Sequence, residues 1–445
     1  MLLSMLKRGC RVGFFGFGKS TASLISHLPL EKCHVTLRDD RVIDRNALSG
    51  SVKIDRICDG RNAITDIDEE IIFFSPSVRR ERAELRRAQD RGVVFSSDAE
   101  LFFSLNRRPV IAITGSDGKS TTATLTHMIL KEAGYKSELI GNIGEPMVAR
   151  LNSDADYFVC ELSSFMLRYF TPTTVAACIT NITPNHLDWH RDFNEYRETK
   201  LSLLGLTKQS VLTDEFDTAE VLVSRDKGYK ELSGSKRANV FLTVERDSIC
   251  KNGREIISLS EASISGHNIT NLMLAIGLTD GLVNDNAICS AVNNFSPLPH
   301  RCEHFLRWNG IDFYNSSVDS TPSRTIATLK SLGRRVVIIL GGRGKGLDYS
   351  DLIVPLKKYA DGVIITGENA DEIYATIGSN VNAKIIDDFH EAVIQGAEAA
   401  KHVGALLLSP SSTSYDKFKN FAERGDVFKQ ICSDLSRYDN ISLHK

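Results

Sequence analysis

The amino-acid sequence predicts an α/β protein built from three domains. Short apolar runs of Val, Ile, Leu and Phe recur along the chain, and each run ends in a polar or glycine-rich turn. Runs of this kind are typical of parallel strands that are buried on both faces. Helical patterns follow several of them. The length of 445 residues corresponds to about three domains, at roughly 150 residues each.

The bulk composition excludes several classes of function. Apolar residues make up 42% and charged residues 25% of the chain, which is ordinary for a globular protein. The formal net charge of −2 provides no basic field for nucleic acid. We find neither an apolar run long enough to span a membrane nor a secretory signal, so we expect a cytoplasmic protein. The nine cysteines form no C-x-x-C pair, which argues against a disulfide framework or a zinc site.

A strand and a glycine turn open the chain. Residues 11–15 predict the strand, and the turn at residues 16–21 leads into a helix. Residues 13–20 also satisfy the full Walker pattern for phosphate binding. Phe14 and Phe15 nevertheless stand where a phosphate cradle needs open backbone. We therefore interpret the segment as G-x-G-x-x-T at a strand-to-helix turn.

Acidic residues follow the second predicted strand, residues 35–37. Asp39 and Asp40 come about 20 residues after the glycines, a spacing that suits a ribose or base contact in a Rossmann-like unit. Residues 71–74 predict another buried strand, and Ser75 follows at its carboxyl end. Ligands of open α/β sheets gather at such ends. A plain turn is an equally good interpretation of the segment around Ser75.

The central part of the chain begins with the clearest chemical motif. Residues 110–113 predict a buried strand, residues 115–118 a glycine turn, and a helical pattern follows. This arrangement aims backbone N–H groups at one point, where Lys119 adds a charge and Ser120 a hydroxyl for Mg²⁺. We therefore predict a phosphate-binding loop. Ile113 replaces the first Walker glycine, and the alternative is a simple turn with a surface lysine.

Two further strands of this region end in candidate metal ligands. Residues 156–160 predict a strand that delivers Glu161, and residues 176–179 predict a strand whose following loop contains His186. A carboxylate at a strand end beside a phosphate loop suits Mg²⁺. A lone histidine is more often structural, but the parallel strands favour His186 as a ligand. His190 lacks a third ligand nearby, so we interpret it as structural.

The last third of the chain repeats the strand pattern. Residues 336–340, 363–366 and 405–408 predict parallel strands of a second Rossmann-like sheet. The first of them leads into the glycine-rich loop at residues 341–346, where backbone could approach a ligand closely. The third leads into a serine-rich segment at residues 409–414. We expect a further binding site at this edge of the sheet.

Three motifs of the central region resemble those of a known family. They are G-S-D-G-K-S-T at residues 115–121, E-L-S-S-F at residues 161–165 and N-H-L-D at residues 185–188. Together they resemble the Mur ligases, ATP-dependent amide ligases that build the peptide stem of the bacterial cell wall. The resemblance spans nearly the whole chain. It implies a UDP-substrate-binding, a central ATP-binding and an amino-acid-binding domain, which we place at residues 1–107, 108–297 and 298–445.

The resemblance also implies a reaction. E-L-S-S-F and the G-N-I-G turn at residues 141–144 are most similar to those of members that add D-glutamate to UDP-N-acetylmuramoyl-L-alanine through an acyl phosphate. Alternatives are a sister ligase for a different amino acid, a folate polyglutamate ligase and a catalytically weak homologue that binds the UDP-sugar. The N-terminal domain argues against folate. We expect small-molecule substrates, no nucleic acid, no membrane insertion and a monomer.

By resemblance, ATP and two Mg²⁺ ions are held in the central domain. The catalytic residues would be Lys119, Glu161, His186 and Lys200. Residues expected at ATP are Gly115, Ser116, Asp117, Gly118, Lys119, Ser120, Thr121, Asn268, Asn271 and Arg301. The expected metal ligands are Ser120, Glu161, His186 and a carbamylated Lys200. From the residues alone, Lys200 is only a helix-surface lysine and Asn268 an ordinary helix start.

The other substrates are assigned in the same way. The UDP-linked substrate would contact Gly16, Phe17, Gly18, Lys19, Ser20, Asp39, Asp40, Arg41, Ser75 and Asn142. The amino acid would contact Ser320, Lys345, Ser414, Tyr415 and Phe421. One stretch departs from the family, because Ser316 and Val318 replace the Asp and Lys of its N-D-S-K-A-T-N motif. The departure implies either a changed affinity for ATP or a substitute residue such as Asp319.

Overall fold

The computed structural model describes residues 1–43, 54–187, 189–260, 264, 268–296, 298–344 and 346–442, with the backbone alone over residues 438–442. Two candidates, Lys345 and the Asp188 of the N-H-L-D motif, lie outside these residues. The chain forms two compact units, Met1–Phe295 and Ser296–Lys445. Three sheets confirm the predicted α/β class. In the described ranges no helix is long and apolar enough to cross a bilayer.

The first sheet is parallel and contains strands β1 to β5. In chain order they are Arg11–Phe15, His34–Asp39, Arg56–Asp59, Ile71–Phe74 and Val94–Ser96. Their spatial order, β3-β2-β1-β4-β5, places β1 in the middle. Helices α1 to α4 are Leu2–Arg8, Lys19–His27, Ala83–Asp90 and Asp98–Leu105, and a 3₁₀ turn covers Gly60–Asn62.

Aromatic stacking explains why residues 13–15 are strand rather than phosphate cradle. Phe14 stacks on Phe73 of the neighbouring strand with ring centroids 5.5 Å apart, and Phe15 stacks on Phe74 at 5.9 Å. All four rings are buried. Aromatic cross-strand pairs stabilise a sheet by roughly 0.2–1 kcal/mol each. The predicted interpretation of this segment as a strand-to-helix turn is confirmed.

The second sheet belongs to the same unit and contains strands β6 to β14. They are Val110–Thr114, Ser137–Gly141, Tyr157–Glu161, Ala176–Ile179, Ser210–Thr213, Val221–Ser224, Val240–Glu245, Ser248–Lys251 and Arg254–Ser258. The spatial order is β14-β13-β12-β11-β10-β9-β6-β8-β7. Among the described pairings of this sheet, only β12–β13 and β13–β14 are antiparallel. Strand β6 therefore lies between β8 and β9.

Helices α5 to α10 accompany this sheet. They are Lys119–Glu132, Ser164–Leu167, Phe193–Leu201, Tyr229–Ser235, Asn268–Leu278 and Asp285–Asn293, with 3₁₀ turns at Val148–Arg150 and Ser202–Leu206. Helix α9 is buried along most of its length, as expected of a helix that is apolar all round. Its Gly277 faces the sheet, and a Cβ there would lie 2.7 Å from Val211. This close packing fixes α9 beside the phosphate loop described below.

The third sheet forms the second unit and contains strands β15 to β20. They are Glu303–Trp308, Ile311–Asn315, Val336–Leu340, Ala360–Ile365, Ala383–Ile385 and Ala405–Leu408, in the order β15-β16-β20-β17-β18-β19. Strand β15 pairs antiparallel with β16. Helices α11 to α15 are Pro322–Leu332, Ile353–Tyr359, Ala370–Ile377, Phe389–Ala400 and Phe421–Ser442, and a 3₁₀ turn covers Ser350–Leu352.

Candidate active site

The predicted phosphate loop connects β6 to α5 and has a backbone that requires glycine. Gly115 has φ +147°, and a Cβ there would lie 1.8 Å from Oγ1 of Thr180. Gly118 has φ +80°, and a Cβ there would lie 2.3 Å from Oδ1 of Asn271. Gly118 is also the N-cap of α5, so the helix start carries no side-chain cap. An uncapped, closely approached helix N-terminus is the arrangement that binds phosphate.

Hydrogen bonds fix this loop to the segment that follows β9. The N–H of Ser116 donates to the carbonyl of Asn181 at 2.9 Å, and the N–H of Asp117 donates to Oδ1 of Asn181 at 3.0 Å. The N–H of Thr183 donates to Oγ of Ser116 at 2.9 Å. The hydroxyl of Tyr196 lies 2.8 Å from the same Oγ. The loop is therefore held in one conformation by its own unit.

Lys119 folds over the loop instead of extending into solvent. Its Nζ donates to the carbonyls of Gly115 and Ser116, both at 2.8 Å. The alternative of a surface lysine therefore does not describe this side chain. Ser120 and Thr121 follow in the first turn of α5, and both are buried.

Glu161 is the residue beside this loop whose environment points most directly to a cation. Parallel pairing of β6 and β8 sets Ile113 opposite Glu161, and Glu161 is 1% exposed. Its Oε1 accepts a hydrogen bond from Nδ2 of Asn142 at 2.7 Å. Its Oε2 is buried and has no hydrogen-bond partner among the described residues. A buried carboxylate oxygen without a partner is costly, and a divalent cation would satisfy it.

The E-L-S-S-F motif also packs against the loop of His186. The Phe165 ring lies 4.8 Å from the His186 ring and 4.6 Å from that of Trp189, centroid to centroid. His186 has φ +55°, and its carbonyl accepts the N–H of Trp189 at 3.1 Å. Both predicted ligands thus belong to segments that contact each other, at the carboxyl ends of β8 and β9.

His190 has the environment of a structural histidine. The ring is buried, and its Nε2 lies 2.9 Å from Oγ of Ser164. Burial lowers the pKa of His190 to about 4, although the nearby Glu195 opposes this effect. The ring is therefore neutral near pH 7.

The expectation from the residues alone that Lys200 is a surface lysine is wrong. Lys200 is 1% exposed, and its Nζ donates to the carbonyl of Gly115 at 2.7 Å. It also lies 4.7 Å above the ring of Tyr196. Helix α7 turns this lysine towards the phosphate loop because Tyr196 and Thr199 are buried on the same side. No local pattern could have predicted this contact, whereas the resemblance placed Lys200 in the site.

The predicted metal ligands are unusual in chemical type. Within the described ranges, no cluster of three or more His, Cys, Asp or Glu residues could hold a metal ion. Of the four predicted ligands, only Glu161 and His186 are of these residue types. The other two ligands are Ser120 and Lys200. Ser120 and Lys200 could complete an oxygen-rich site for Mg²⁺ only through a hydroxyl and a carbamate. The orphaned oxygen of Glu161 fits such a site.

The two asparagines expected at the nucleotide lie at the start of α9. Nδ2 of Asn271 donates to Oδ1 of Asn268 at 3.1 Å, and Oγ1 of Thr122 donates to Oδ1 of Asn271 at 3.4 Å. Asn271 also faces Gly118 of the predicted phosphate loop. The tertiary fold thus brings Asn271 to the predicted ATP site.

Candidates for the UDP-linked substrate gather at the carboxyl edge of the first sheet. Oδ2 of Asp39 accepts the N–H of Phe17 at 2.8 Å, and Oδ1 accepts that of Arg41 at 2.9 Å. Burial opposes ionisation of Asp39, but these backbone hydrogen bonds dominate and lower its pKa. Ser75 contacts Gly16, where a Cβ would lie 2.7 Å from the serine Cβ.

The remaining candidates for this substrate surround the same turn. Asp40 forms an ion pair with Arg82 at 2.5 Å. Gly18 and Ser20 lie at the start of α2, on either side of Lys19. Nζ of Lys19 donates to the carbonyl of Gly144 at 2.8 Å, within the G-N-I-G turn that also contains Asn142. The glycine turn of the first sheet therefore reaches the second sheet inside one compact unit.

The second unit holds Arg301 and the stretch that departs from the family motif. Arg301 precedes β15 and is partly buried. Oγ of Ser316 accepts the N–H of Cys302 at 3.1 Å. Oδ2 of Asp319 accepts hydrogen bonds from Thr328 at 2.7 Å and Ser409 at 2.8 Å. Burial raises the pKa of Asp319. The carboxyl group of Asp319 thus accepts hydrogen bonds from within its own unit. This disfavours Asp319 as a substitute for the missing charged residues at the nucleotide.

The described amino-acid candidates lie at the carboxyl edge of the third sheet. Ser414 is buried, whereas Tyr415 and Phe421 are exposed; Ser320 is partly buried. Phe421 begins α15, and its carbonyl accepts the hydroxyl of Ser317 at 2.7 Å. Sequence reasoning missed Arg424, a buried arginine beneath these segments. An arginine within a charged helix carries no local signal of burial.

Comparison with known proteins identifies the family. The model of the Mur ligase middle domain matches residues 113–279, and that of the Mur ligase, glutamate ligase domain matches residues 300–412. A UDP-N-acetylmuramoylalanine–D-glutamate ligase of Ruminiclostridium cellulolyticum is 33% identical over 454 residues, covering 96% of this chain and 97% of the relative. The chain belongs to the Mur ligase family. The corresponding ligase of Acetivibrio thermocellus is 32% identical over 449 residues, covering 96% of each chain.

Solved structures support the same fold for this Mur ligase. The UDP-N-acetylmuramate-alanine ligase of Thermotoga maritima has a TM-score of 0.64 at 17% identity, covering 96% of this chain and 99% of that one. MurF of Acinetobacter baumannii has a TM-score of 0.54 at 16% identity, covering 96% and 93%. A folylpolyglutamate synthase of Mycobacterium tuberculosis covers only 74% of this chain, and 95% of its own, at 12% identity and a TM-score of 0.54. As a Mur ligase, the protein is an ATP-dependent ligase.

Proposed function

We propose that this Mur ligase joins D-glutamate to UDP-N-acetylmuramoyl-L-alanine during synthesis of a peptidoglycan precursor. The D-glutamate assignment rests on the relatives above, which carry that name and match almost end to end. The catalytic assignment rests on one observation, the orphaned Oε2 of Glu161 beside the phosphate loop. Buried carboxylate oxygens are ordinarily hydrogen-bonded, so an orphan at this place beside the loop supports a role in binding a cation.

The chain's own residues suit phosphoryl transfer. The N-terminus of α5 and Lys119 would hold the phosphates of ATP. The resemblance assigns Arg301 to ATP as well, a role that suits its permanently charged fork. The substrate carboxylate attacks the γ-phosphorus, ADP leaves, and an acyl phosphate forms. The amine of D-glutamate then attacks the acyl carbon and phosphate leaves, while the amine loses its proton. These fixed donors and charges stabilise the transition state without having to reorganise.

We propose Mg²⁺ as the cofactor, in two sites. Ser120 and Glu161 would hold one ion, and Glu161, His186 and a carbamylated Lys200 the other. Mg²⁺ bound there would neutralise charge on the transferred phosphoryl group. Lys200 supports this assignment because it is buried and its Nζ already lies at the loop.

We further propose that the three sheets mark domains at residues 1–107, 108–297 and 298–445. They would bind the UDP-linked substrate, ATP and the amino acid in that order, and the enzyme would act as a monomer. The UDP-linked substrate would occupy the edge of the first sheet around Asp39 and Ser75. The amino acid would occupy the edge of the third sheet around Ser414 and Phe421, with Lys345 from the neighbouring glycine loop.

A panel of amino acids tests the function. The enzyme is incubated with UDP-N-acetylmuramoyl-L-alanine, ATP and Mg²⁺, and phosphate release is measured for each amino acid. We expect D-glutamate to stimulate release and the other amino acids to give the background rate. Stimulation by a different amino acid would identify a sister ligase. No stimulation by any amino acid would end the ligase proposal.

Ser316 and Val318 support a second candidate, a homologue that binds the UDP-sugar but turns over weakly. These residues replace charged groups of the family motif, and both are buried. Calorimetric titration with ATP in the presence of Mg²⁺ separates the candidates. An active ligase should bind ATP with a defined stoichiometry, whereas absent ATP binding together with binding of the UDP-sugar would favour the weak homologue.

A further inference from the structure

A buried arginine of the second unit joins segments that are far apart in the sequence. Arg424 of α15 is 2% exposed. Its Nε donates to Oγ of Ser317 at 3.1 Å, and its Nη2 donates to the carbonyl of Ser317 at 2.8 Å and that of Ser412 at 3.1 Å. Its Nη1 donates to the carbonyl of Thr413 at 3.1 Å. One guanidinium therefore fixes two strand-end segments.

Each of the segments around Arg424 leads to a proposed amino-acid contact. Thr413 precedes Ser414. Ser317 lies in the segment that continues to Ser320, and its hydroxyl holds the carbonyl of Phe421. A third strand-end segment is the glycine loop that leads to Lys345, because a Cβ at Gly342 would lie 2.9 Å from Nη1 of Arg424.

The charge of Arg424 is not neutralised by a close partner. Among the described residues, no carboxylate forms an ion pair with this guanidinium, and its acceptors are carbonyls and one hydroxyl. Burial lowers the pKa of Arg424 to about 10, with Asp416 and Asp319 acting in the opposite direction. The group is thus cationic at neutral pH. A buried cation beneath a binding edge favours an anionic ligand, since the interior screens it weakly.

We propose that Arg424 is a positioning residue for the amino-acid substrate and that its charge favours an amino acid with a side-chain carboxylate. This inference rests on the proposed function and deepens it. Arg424 does not need to contact the substrate. It holds Ser414, Phe421 and the glycine loop in one arrangement, and it makes the site they surround electropositive. Lysine cannot replace it, because one ammonium cannot reproduce the planar fork.

The test compares R424K with R334K in the full-length enzyme. Arg334 is a suitable control because it binds Asp312 at 2.7 Å and the carbonyl of Gly404 at 2.9 Å, at the opposite edge of the same sheet. Initial rates are measured with each of the three substrates varied in turn. We expect R424K to raise the KM for D-glutamate by about 10- to 100-fold, the scale of lost charged hydrogen bonds. In R424K the KM values for ATP and the UDP-sugar should stay within about twofold of the wild-type values. In R334K all three KM values should do so.

A second variant keeps the test decisive if R424K does not fold. S317A removes one acceptor of Arg424 and the hydrogen bond to Phe421, and it should raise the KM for D-glutamate by about 5- to 20-fold. An unchanged KM for D-glutamate in S317A, or in a folded R424K, would overturn the inference. So would an equal rise in all three KM values. If D-glutamate did not stimulate phosphate release by the wild-type enzyme, the proposed function would be refuted, and this inference with it.

Discussion

The two glycine turns of the first unit have the same G-K-S-T sequence but different structures. Residues 18–21 open α2 after β1, and residues 118–121 open α5 after β6. Only the first turn satisfies the full Walker pattern. Yet Gly18 has φ −151° and open space around it, whereas Gly118 has φ +80° and faces Asn271. The sign of φ and the neighbouring atoms, rather than the motif, distinguish the predicted phosphate loop from the first turn.

The two turns also differ in the hydrogen bonds of their lysines and in the residue that lies beside them at the end of the neighbouring strand. Lys19 leaves its own turn and donates to Gly144, while Lys119 folds back onto the carbonyls of its loop. Ser75 lies beside the first turn, and Glu161 lies beside the second. Only the second turn combines a retained cation with a buried, orphaned carboxylate oxygen. Two turns of the same sequence thus differ in structure, in keeping with the separate substrates proposed for them, the UDP-linked substrate at the first and ATP at the second.

The largest expected difference between the turns comes from their lysines. K119A should lower kcat by at least about 10²- to 10³-fold, because it removes a fixed charge that stabilises the transferring phosphoryl group. K19A should leave the KM for ATP unchanged within about twofold and raise that for the UDP-sugar. Steady-state phosphate release measures both. Retained turnover in K119A would remove this lysine from the mechanism.

Substitutions of the two glycines, Gly118 and Gly18, should differ in their effects by less than substitutions of the two lysines. G118A should destabilise the protein by about 1–3 kcal/mol, because alanine is strained at this φ and its Cβ would meet Asn271. It should also weaken binding of a non-hydrolysable ATP analogue at least about tenfold. G18A should change stability by less than about 0.5 kcal/mol. Chemical denaturation and calorimetry give the two quantities. Equal effects of G118A and G18A would contradict the assignment of distinct roles.

The smallest expected effect concerns histidines at equivalent positions of the two helices. His127 of α5 is partly buried and lies 2.9 Å from Oγ of Ser137; burial, then the charge of Lys131, lower its pKa below 6.5. Below that pH the unfolded chain takes up a proton that the folded protein resists, so stability is lost as pH falls from about 7 towards 5. H127Q should reduce this loss.

The matched variant H27Q provides the reference, since His27 is exposed at the corresponding position of α2. Urea unfolding at several pH values measures the free energy of unfolding for wild type and both variants. If wild type and H127Q showed the same pH dependence, His127 would not be the group responsible.

Much of the fold could be predicted because strands leave a local signal. Five predicted strands have the predicted bounds, among them Ile71–Phe74, Val336–Leu340 and Ala405–Leu408. Their apolar, β-branched and aromatic residues are buried on both faces, so the pattern ends where the strand ends. The glycine turns, Glu161 and His186 could be identified for a related reason. The glycine turns follow their strands directly, Glu161 ends β8, and His186 lies in the loop after β9. Parallel strands bring the carboxyl ends within one sheet to the same edge.

The sequence by itself therefore determined the α/β class, most strand positions and the candidate phosphate and metal residues, because these depend on short-range patterns. Only the tertiary structure showed that the two glycine turns differ in backbone conformation, with φ −151° at Gly18 and +80° at Gly118. It also brought Lys200 to the carbonyl of Gly115, a contact between residues 85 positions apart, and placed Arg424 beneath Ser317, 107 positions away. Such contacts depend on which strands become neighbours and which helix faces they bury. No periodicity within a single segment contains that information.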